Sequence, residues 1–165
     1  MSKLSPENVG AILNQITGEY NLLASQLFDN RYIWGYRHLY SAVWHALNAK
    51  KNDQMISKTL SIEVLLYVAT ERQIRKAITF LGVKETTKDI TGVLLGDPVK
   101  HLINAYNQLQ KKLCVTPNMD LLNDFSSKNQ HLIKILMDDG YLARDFTFID
   151  IEKAILQKIA LLALE

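Results

Sequence analysis

Apolar residues recur at helical spacing along most of this chain and gather into strand-like runs only twice. Ser5-Pro6-Glu7 opens the first helix: Ser caps it, and Pro sits where its missing N–H costs nothing. Val9, Ile12, Leu13 and Ile16 then share one face, and Gly18 closes it. Ala24 to Phe28 is a short apolar run before Asp29-Asn30, which predicts a strand ending in a turn. Gly35 to Lys50 is helical in pattern. Its stripe is Leu39, Val43, Ala46 and Leu47, and an aromatic row of Tyr36, Tyr40 and Trp44, spaced by four, is expected in the core. Ser57 to Ala69 reads as a buried apolar helix broken near Thr70-Glu71. Arg72 to Leu81 follows with Ile74, Ala77, Ile78 and Leu81 inward, and Gly82 ends it.

Asp89 to Leu95 predicts a second strand, bounded by Gly96-Asp97-Pro98. Gly92 inside it implies a bulge or a close backbone approach. Pro98 opens a helix with Val99, Leu102, Ile103, Tyr106 and Leu109 in register. Ser127 and Gln130 have capping-box spacing ahead of Leu132, Ile133, Ile135 and Leu136, with a stop near Gly140. Asp150 is expected to cap a last helix rich in apolar residues, from Ile151 to Leu164. No linker, repeat or low-complexity tract divides the chain. The expectation is a helix-dominated α+β fold: a single domain over residues 1–165, with helices on a small mixed sheet of two to four strands.

Composition narrows this further. The 165 residues suit one domain and bury enough surface for a core without staples. A hydrophobic share of 48% excludes a disordered chain, and a single Cys excludes a disulfide framework. No apolar run reaches the roughly 18 residues of a bilayer span, and no signal peptide pattern opens the chain. A soluble cytoplasmic protein is expected, with no membrane partner. The net charge of +2 hides an asymmetry. Arg31 to Lys84 carries nine bases and three acids, net +6, and the remainder ten bases and fourteen acids, net −4. Such a segment can mark a polyanion-binding face.

The search for catalytic motifs is nearly empty. No Walker loop, GxGxxG, GxSxG or His-Glu-x-x-His occurs. Cys114 lies among apolar neighbours and is expected to be buried and inert. His38 and His45 share a helix face but no acid or Cys joins them at ligand spacing, so they read as packed or phosphate-facing rather than metal-binding. Asp138-Asp139 reads as a solvated helix end. No cofactor, metal or small-molecule substrate is expected. The remaining signals concern interaction. Arg and Lys of the basic segment suit phosphates, and aromatics interleaved with Arg31 and Arg37 suit unpaired bases. The last helix is either wedged in the core or lends a face to another protein.

Several runs carry a family resemblance. They are Leu27-Phe28-Asp29, Arg37-His38-Leu39 with His45-Ala46-Leu47, and Ser57-Lys58-Thr59-Leu60. Glu63-Val64-Leu65-Leu66-Tyr67, Glu71-Arg72-Gln73-Ile74, Asp89 to Leu95, and the terminal Ile155 to Leu162 complete the set. Together they resemble the small kinase-binding subunit of the KEOPS complex in its archaeal form. The resemblance implies a non-catalytic protein with a mixed α/β fold. It also implies docking on the small atypical kinase subunit, indirect contact with the threonylcarbamoyl transferase, and capture of transfer RNA chiefly by its single-stranded 3′ end. The complex so formed installs threonylcarbamoyl on an adenosine beside the anticodon.

Carried over by position, Lys58, Thr59, Arg72, Gln73 and Ile74 form the expected RNA site, flanked by Asn30 and Arg31. Lys58 and Arg72 would hold phosphates, Gln73 a base edge, and Ile74 a base or the core. The terminal helix resembles the kinase-docking element, with Ile151, Ile155, Ile159 and Leu162 along one face as expected contacts. Three departures accompany the resemblance. Only Met1 to Leu4 precede the first helix where the family has a strand, so the sheet is expected to lack one. Thr70-Glu71 occupies a turn that often holds Gly, so a Gly-only conformation is not expected there, and Glu71 adds negative charge beside the phosphate ligands. Gly96 to Phe148 shows little correspondence beyond a helix pattern. A structural adaptor without direct RNA binding is the alternative reading, and an enzyme with no short motif a third.

Overall fold

The computed structural model describes residues 5–128 and 130–164. The order is α1 (Pro6–Glu19), β1 (Ala24–Asp29), a 3-10 turn (Asn30–Tyr32), α2 (Gly35–Lys51), α3 (Leu60–Ala69), α4 (Ile74–Leu81) and β2 (Ile90–Leu95). Then come α5 (Val99–Leu113), a single turn α6 (Asp120–Asn123), a second 3-10 turn (Phe125–Ser127), α7 (Gln130–Asp138) and α8 (Phe148–Leu162). Among the described residues the sheet has two strands and is antiparallel, at the low end of the expected range. Met1 to Leu4, on which the expectation of a missing strand rests, lie outside the described residues.

Two apolar clusters flank this sheet. On one side Val9, Leu13 and Ile16 of α1 meet Leu27, Ala105 and Leu109. On the other, α2, α3, α4, α7 and α8 enclose Phe28, Ile33, Val64, Leu65, Leu136, Ile155 and Ile159. Gly92 is explained by packing. A Cβ there would come within 2.9 Å of Leu27 Cδ2, so the close approach is real, and the register runs unbroken without a bulge.

Most helix boundaries fall within a few residues of the pattern, and the differences have local causes. The helix expected from Ser57 begins at Leu60, because Thr59 is the cap and Ser57 is held instead by Glu63. The last helix starts at Phe148: Thr147 caps it, and Asp150 is the reciprocal third residue of that capping box. Ser127 lies in a 3-10 turn, and the residue before Gln130 lies outside the described residues. Cys114 is exposed, since it takes a left-handed conformation (φ 52°) just past α5. Thr70 does the same past α3 (φ 52°, ψ 38°), so the conformation that seemed reserved for Gly is adopted by Thr itself.

The largest correction concerns α2. Its buried face is Gly35, His38, Leu39, Ala42, Ala46 and Ala49. These small side chains let α3 and α8 approach closely, which turns the opposite face outward. The aromatic row is therefore not core: Tyr36 is 62%, Tyr40 59% and Trp44 52% exposed. Leu47 is exposed with them. In α4 only Ala77 and Leu81 are buried, while Ile74 and Ile78 face outward, since this short helix packs mainly on α3 along a narrow stripe.

Candidate interaction surfaces

Beyond β1 the chain turns at a buried carboxylate. Asp29 Oδ1 accepts from the Arg31 N–H at 3.0 Å, and both Asp29 oxygens accept from Arg31 Nε at 2.9 and 3.1 Å. Arg31 Nη2 and Thr87 Oγ1 also donate to Oδ2. Burial alone would raise this carboxyl, but the hydrogen bonds from Arg31 and Thr87 outweigh it and hold its pKa below the ordinary value. The bond to Asp29 in turn raises the pKa of Arg31. Arg31 is half-exposed, with one edge of its guanidinium committed to the turn.

Asn30 faces inward and is a correction to its expected place beside the RNA. Its Nδ2 donates to Leu121 O at 3.1 Å, and its Oδ1 accepts from Thr91 Oγ1 at 2.7 Å. Lys128 is buried against the same residue, with Nζ donating to Asn30 O at 3.1 Å and to Leu121 O at 3.3 Å. Loss of water lowers the Lys128 pKa. A buried amide beside a buried amine at this sequence separation has no local signal, which is why sequence reading passed over Lys128.

Lys58 and Thr59 sit exposed in the loop before α3. That loop is organised from beneath by Glu63, which is fully buried. Its Oε1 accepts from Ile56 N–H at 3.1 Å, and its Oε2 from Ser57 N–H and Oγ at 2.8 Å each. Arg72, Gln73 and Ile74 are exposed at the other end of α3. The ten residues of α3 separate the two halves of the expected block by about 15 Å. Glu71 turns to the backbone, its Oε1 accepting from the Gln73 N–H at 3.0 Å.

Arg72 borders a cleft of about 380 Å³ between the ends of α2 and α8. His45, Asn48, Asn52, Gln54 and Tyr67 supply its polar wall. The His45 ring stacks on Tyr67 with centroids 5.8 Å apart, and burial lowers its pKa. Of the basic segment, Lys50, Lys51, Lys58, Arg72, Arg75 and Lys76 are exposed. Arg37 is exposed as well but pairs with Glu152 at 3.2 Å, and Lys84 lies 5.6 Å from the centre of the Tyr32 ring.

The row Ile151, Ile155, Ile159 and Leu162 turns inward against α2 and α3, so the face expected to meet a kinase is core in this structure. The helix that carries it lies alongside α2 and parallel to it: Arg37 pairs with Glu152 near both starts, and Asn48, Ala49, Leu162 and Ala163 line one cleft near both ends. What this pair shows to solvent is the aromatic row of α2 with Phe148, Ile149, Leu161 and Leu164. The phase of the small residues Ala42, Ala46 and Ala49 was the sequence signal for this, because they mark the buried side of α2.

Among the described residues no group of three His, Cys, Asp or Glu side chains gathers as a metal site, and no helix is long and apolar enough to cross a membrane. The fold and its surfaces define a binding domain: an aromatic helix face, a basic rim and a polar cleft. A family model described as kinase binding protein CGI-121 matches residues 7–162, nearly the whole chain. The chain belongs to that kinase-binding family, the one its sequence resembles. No curated protein matches the sequence.

Proposed function

We propose that this protein is the non-catalytic KEOPS subunit that binds the small atypical kinase and recruits transfer RNA by its single-stranded 3′ end for threonylcarbamoyladenosine formation. The exposed row Tyr36, Tyr40 and Trp44 carries the kinase half of this reading. Large aromatics on one rigid helix face are the residue types that dominate protein interfaces, and a soluble chain rarely leaves three of them bare. The kinase thus docks on the outer side of α2 and the exposed residues of α8. Ile151, Ile155, Ile159 and Leu162 hold α8 in place from within.

The RNA half rests on six of the exposed bases, Lys50, Lys51, Lys58, Arg72, Arg75 and Lys76. Arg72 borders the cleft, and Lys50 and Lys51 stand in the last turn of α2 beside Asn48 and Asn52. Here the phosphates meet Lys and Arg, while the amides and Tyr67 face the bases. Lys58 and Thr59 extend the path beyond α3.

One experiment separates the halves. The variants Trp44→Glu and Arg72→Glu are compared for co-elution with the kinase and for filter binding of whole and 3′-trimmed transfer RNA. Trp44→Glu is expected to lose the kinase and Arg72→Glu the RNA, with the trimmed RNA weak throughout. RNA affinity is expected to fall steeply with salt, because phosphate contacts release counterions. Equal RNA binding by both variants and both RNAs would refute the RNA half. Kinase co-elution undisturbed by Trp44→Glu would refute the placement of the kinase.

A further inference from the structure

The exposed aromatic face and the polar cleft meet within one turn of α2. Trp44 belongs to the face, whereas its neighbour His45 is half-buried and lines the cleft. Side chains at successive helix positions ordinarily face different neighbours. Here the two rings meet, edge to face, with centroids 4.9 Å apart. The other side of the chain is Tyr67, on which the His45 ring stacks. Burial and the Glu63 charge raise the Tyr67 pKa, and the Arg72 guanidinium is close enough to lower it. Three rings thus lead in contact from the solvent face of α2 to the neighbourhood of Arg72. The two surfaces also share an edge at the end of α8, where Leu164 is exposed and lines the cleft.

The central ring is held differently from the other histidine of this helix. His38 is pinned at both nitrogens, by the Trp34 N–H and by Val68 O. Among the described residues neither nitrogen of His45 makes a hydrogen bond, so contacts with the Trp44 and Tyr67 rings are what seat it. Such a ring has two arrangements, stacked on Tyr67 or swung away from it. The order of the exposed Trp44 ring biases the choice.

We propose that kinase docking and RNA binding are coupled through His45. Burial of Trp44 by the kinase holds His45 on Tyr67, and the cleft is already shaped when the RNA 3′ end arrives. The coupling rests on the assignment of the kinase to the aromatic face and of the RNA to the cleft. Its sign is positive, because ordering a side chain costs free energy and the kinase has met that cost before RNA binds. One ring ordered in advance corresponds to a gain in RNA affinity of about two- to tenfold. Linkage makes the effect reciprocal: bound RNA tightens the kinase by the same factor. The kinase-bound form is therefore the one that takes up RNA, and the free chain releases it more readily.

The test measures RNA affinity with and without saturating kinase, and kinase affinity with and without saturating RNA. It compares the wild type with His45→Ala and His45→Phe. Each protein is judged by its own ratio, so a change in basal RNA affinity does not enter. The wild type is expected to give the same ratio in both directions, about two- to tenfold. His45→Ala removes the central ring and should bring both ratios to one, whereas His45→Phe restores a ring and should keep them. With labelled histidine, the His45 ring resonance of the wild type should shift when kinase alone is added, a readout that needs no variant to fold. Ratios of one in the wild type, with both ligands bound, overturn the coupling and leave the two surfaces standing. A ratio that His45→Ala does not reduce assigns the effect to direct contact between kinase and RNA and overturns the coupling too, as does a His45 resonance that the kinase leaves unmoved. A wild type that binds no RNA in either state overturns the reading of the cleft, and the coupling with it.

Discussion

His38 should make the stability of this fold fall through mild acid. The imidazole is buried between two helices. The Trp34 N–H donates to Nδ1 at 3.1 Å, which places the ring proton on Nε2, and Nε2 donates to Val68 O at 2.9 Å. Both nitrogens are used, and only the neutral ring fits. Burial lowers its pKa most, the Val68 carbonyl partly restores it, and the Lys128 charge lowers it again, to about 4 from 6.5. The unfolded chain therefore takes up a proton that the native state refuses. The stabilisation is complete above pH 6.5 and is lost as pH falls towards 4. At about 1.4 kcal/mol per pH unit, the gap amounts to about 3 kcal/mol. Urea unfolding followed by circular dichroism, stepped from about pH 7.5 to about 4.5, reads most of this. The control is His38→Gln, which does not titrate and whose amide can still donate to Val68 O. His45, also lowered by burial, contributes equally to both proteins. Asp29 acts only below the carboxylate range. The wild type should lose stability more steeply than the variant. Parallel curves, or a His38 resonance that titrates near its ordinary pKa, would refute the reasoning.

Thr70→Gly should stabilise the protein. The left-handed conformation costs a β-branched residue about 1–2 kcal/mol, and glycine gives back roughly 0.5–1 through its freer unfolded chain. The net gain of up to about 1 kcal/mol should raise Tm by about 3 °C; a lower Tm would show that the Thr side chain makes an offsetting contact. Ile159→Glu should unfold the chain rather than merely release the kinase, because it buries a carboxylate without a partner. A folded Ile159→Glu monomer by circular dichroism would return that face to the partner.

Local pattern carried most of the fold. Capping at Ser5, the periodicity of α1, α2 and α5, and the two apolar runs located elements that the structure keeps with small shifts. What escaped depends on contacts between distant elements. Tyr36, Tyr40 and Trp44 look like a core stripe until α3 and α8 take the alanine side of α2. Ile155 and Ile159 look like a docking row until α2 and α3 close over them. Both are choices between faces of one helix, and hydrophobicity alone ranks aromatic above alanine. Among the candidate site residues, Lys58, Thr59, Arg72 and Gln73 are exposed as the sequence led one to expect. Asn30 is not, because its partners Thr91, Leu121 and Lys128 arrive from far along the chain.

Those partners also set an order of events during synthesis. Lys128 is 98 residues from Asn30, and Leu121 is 91. A ribosome adding roughly 5–20 residues per second needs about 5–20 s to cover that interval. Throughout it, the turn after β1 lacks the amine and the carbonyl that satisfy its amide. The Trp34 ring likewise waits for Phe125, its stacking neighbour at 5.4 Å. Closure of so long a loop is entropically costly and slow. The corner at Asn30 is therefore among the last parts of the nascent chain to become native, and a chaperone that holds the emerging polypeptide would find its apolar surface there.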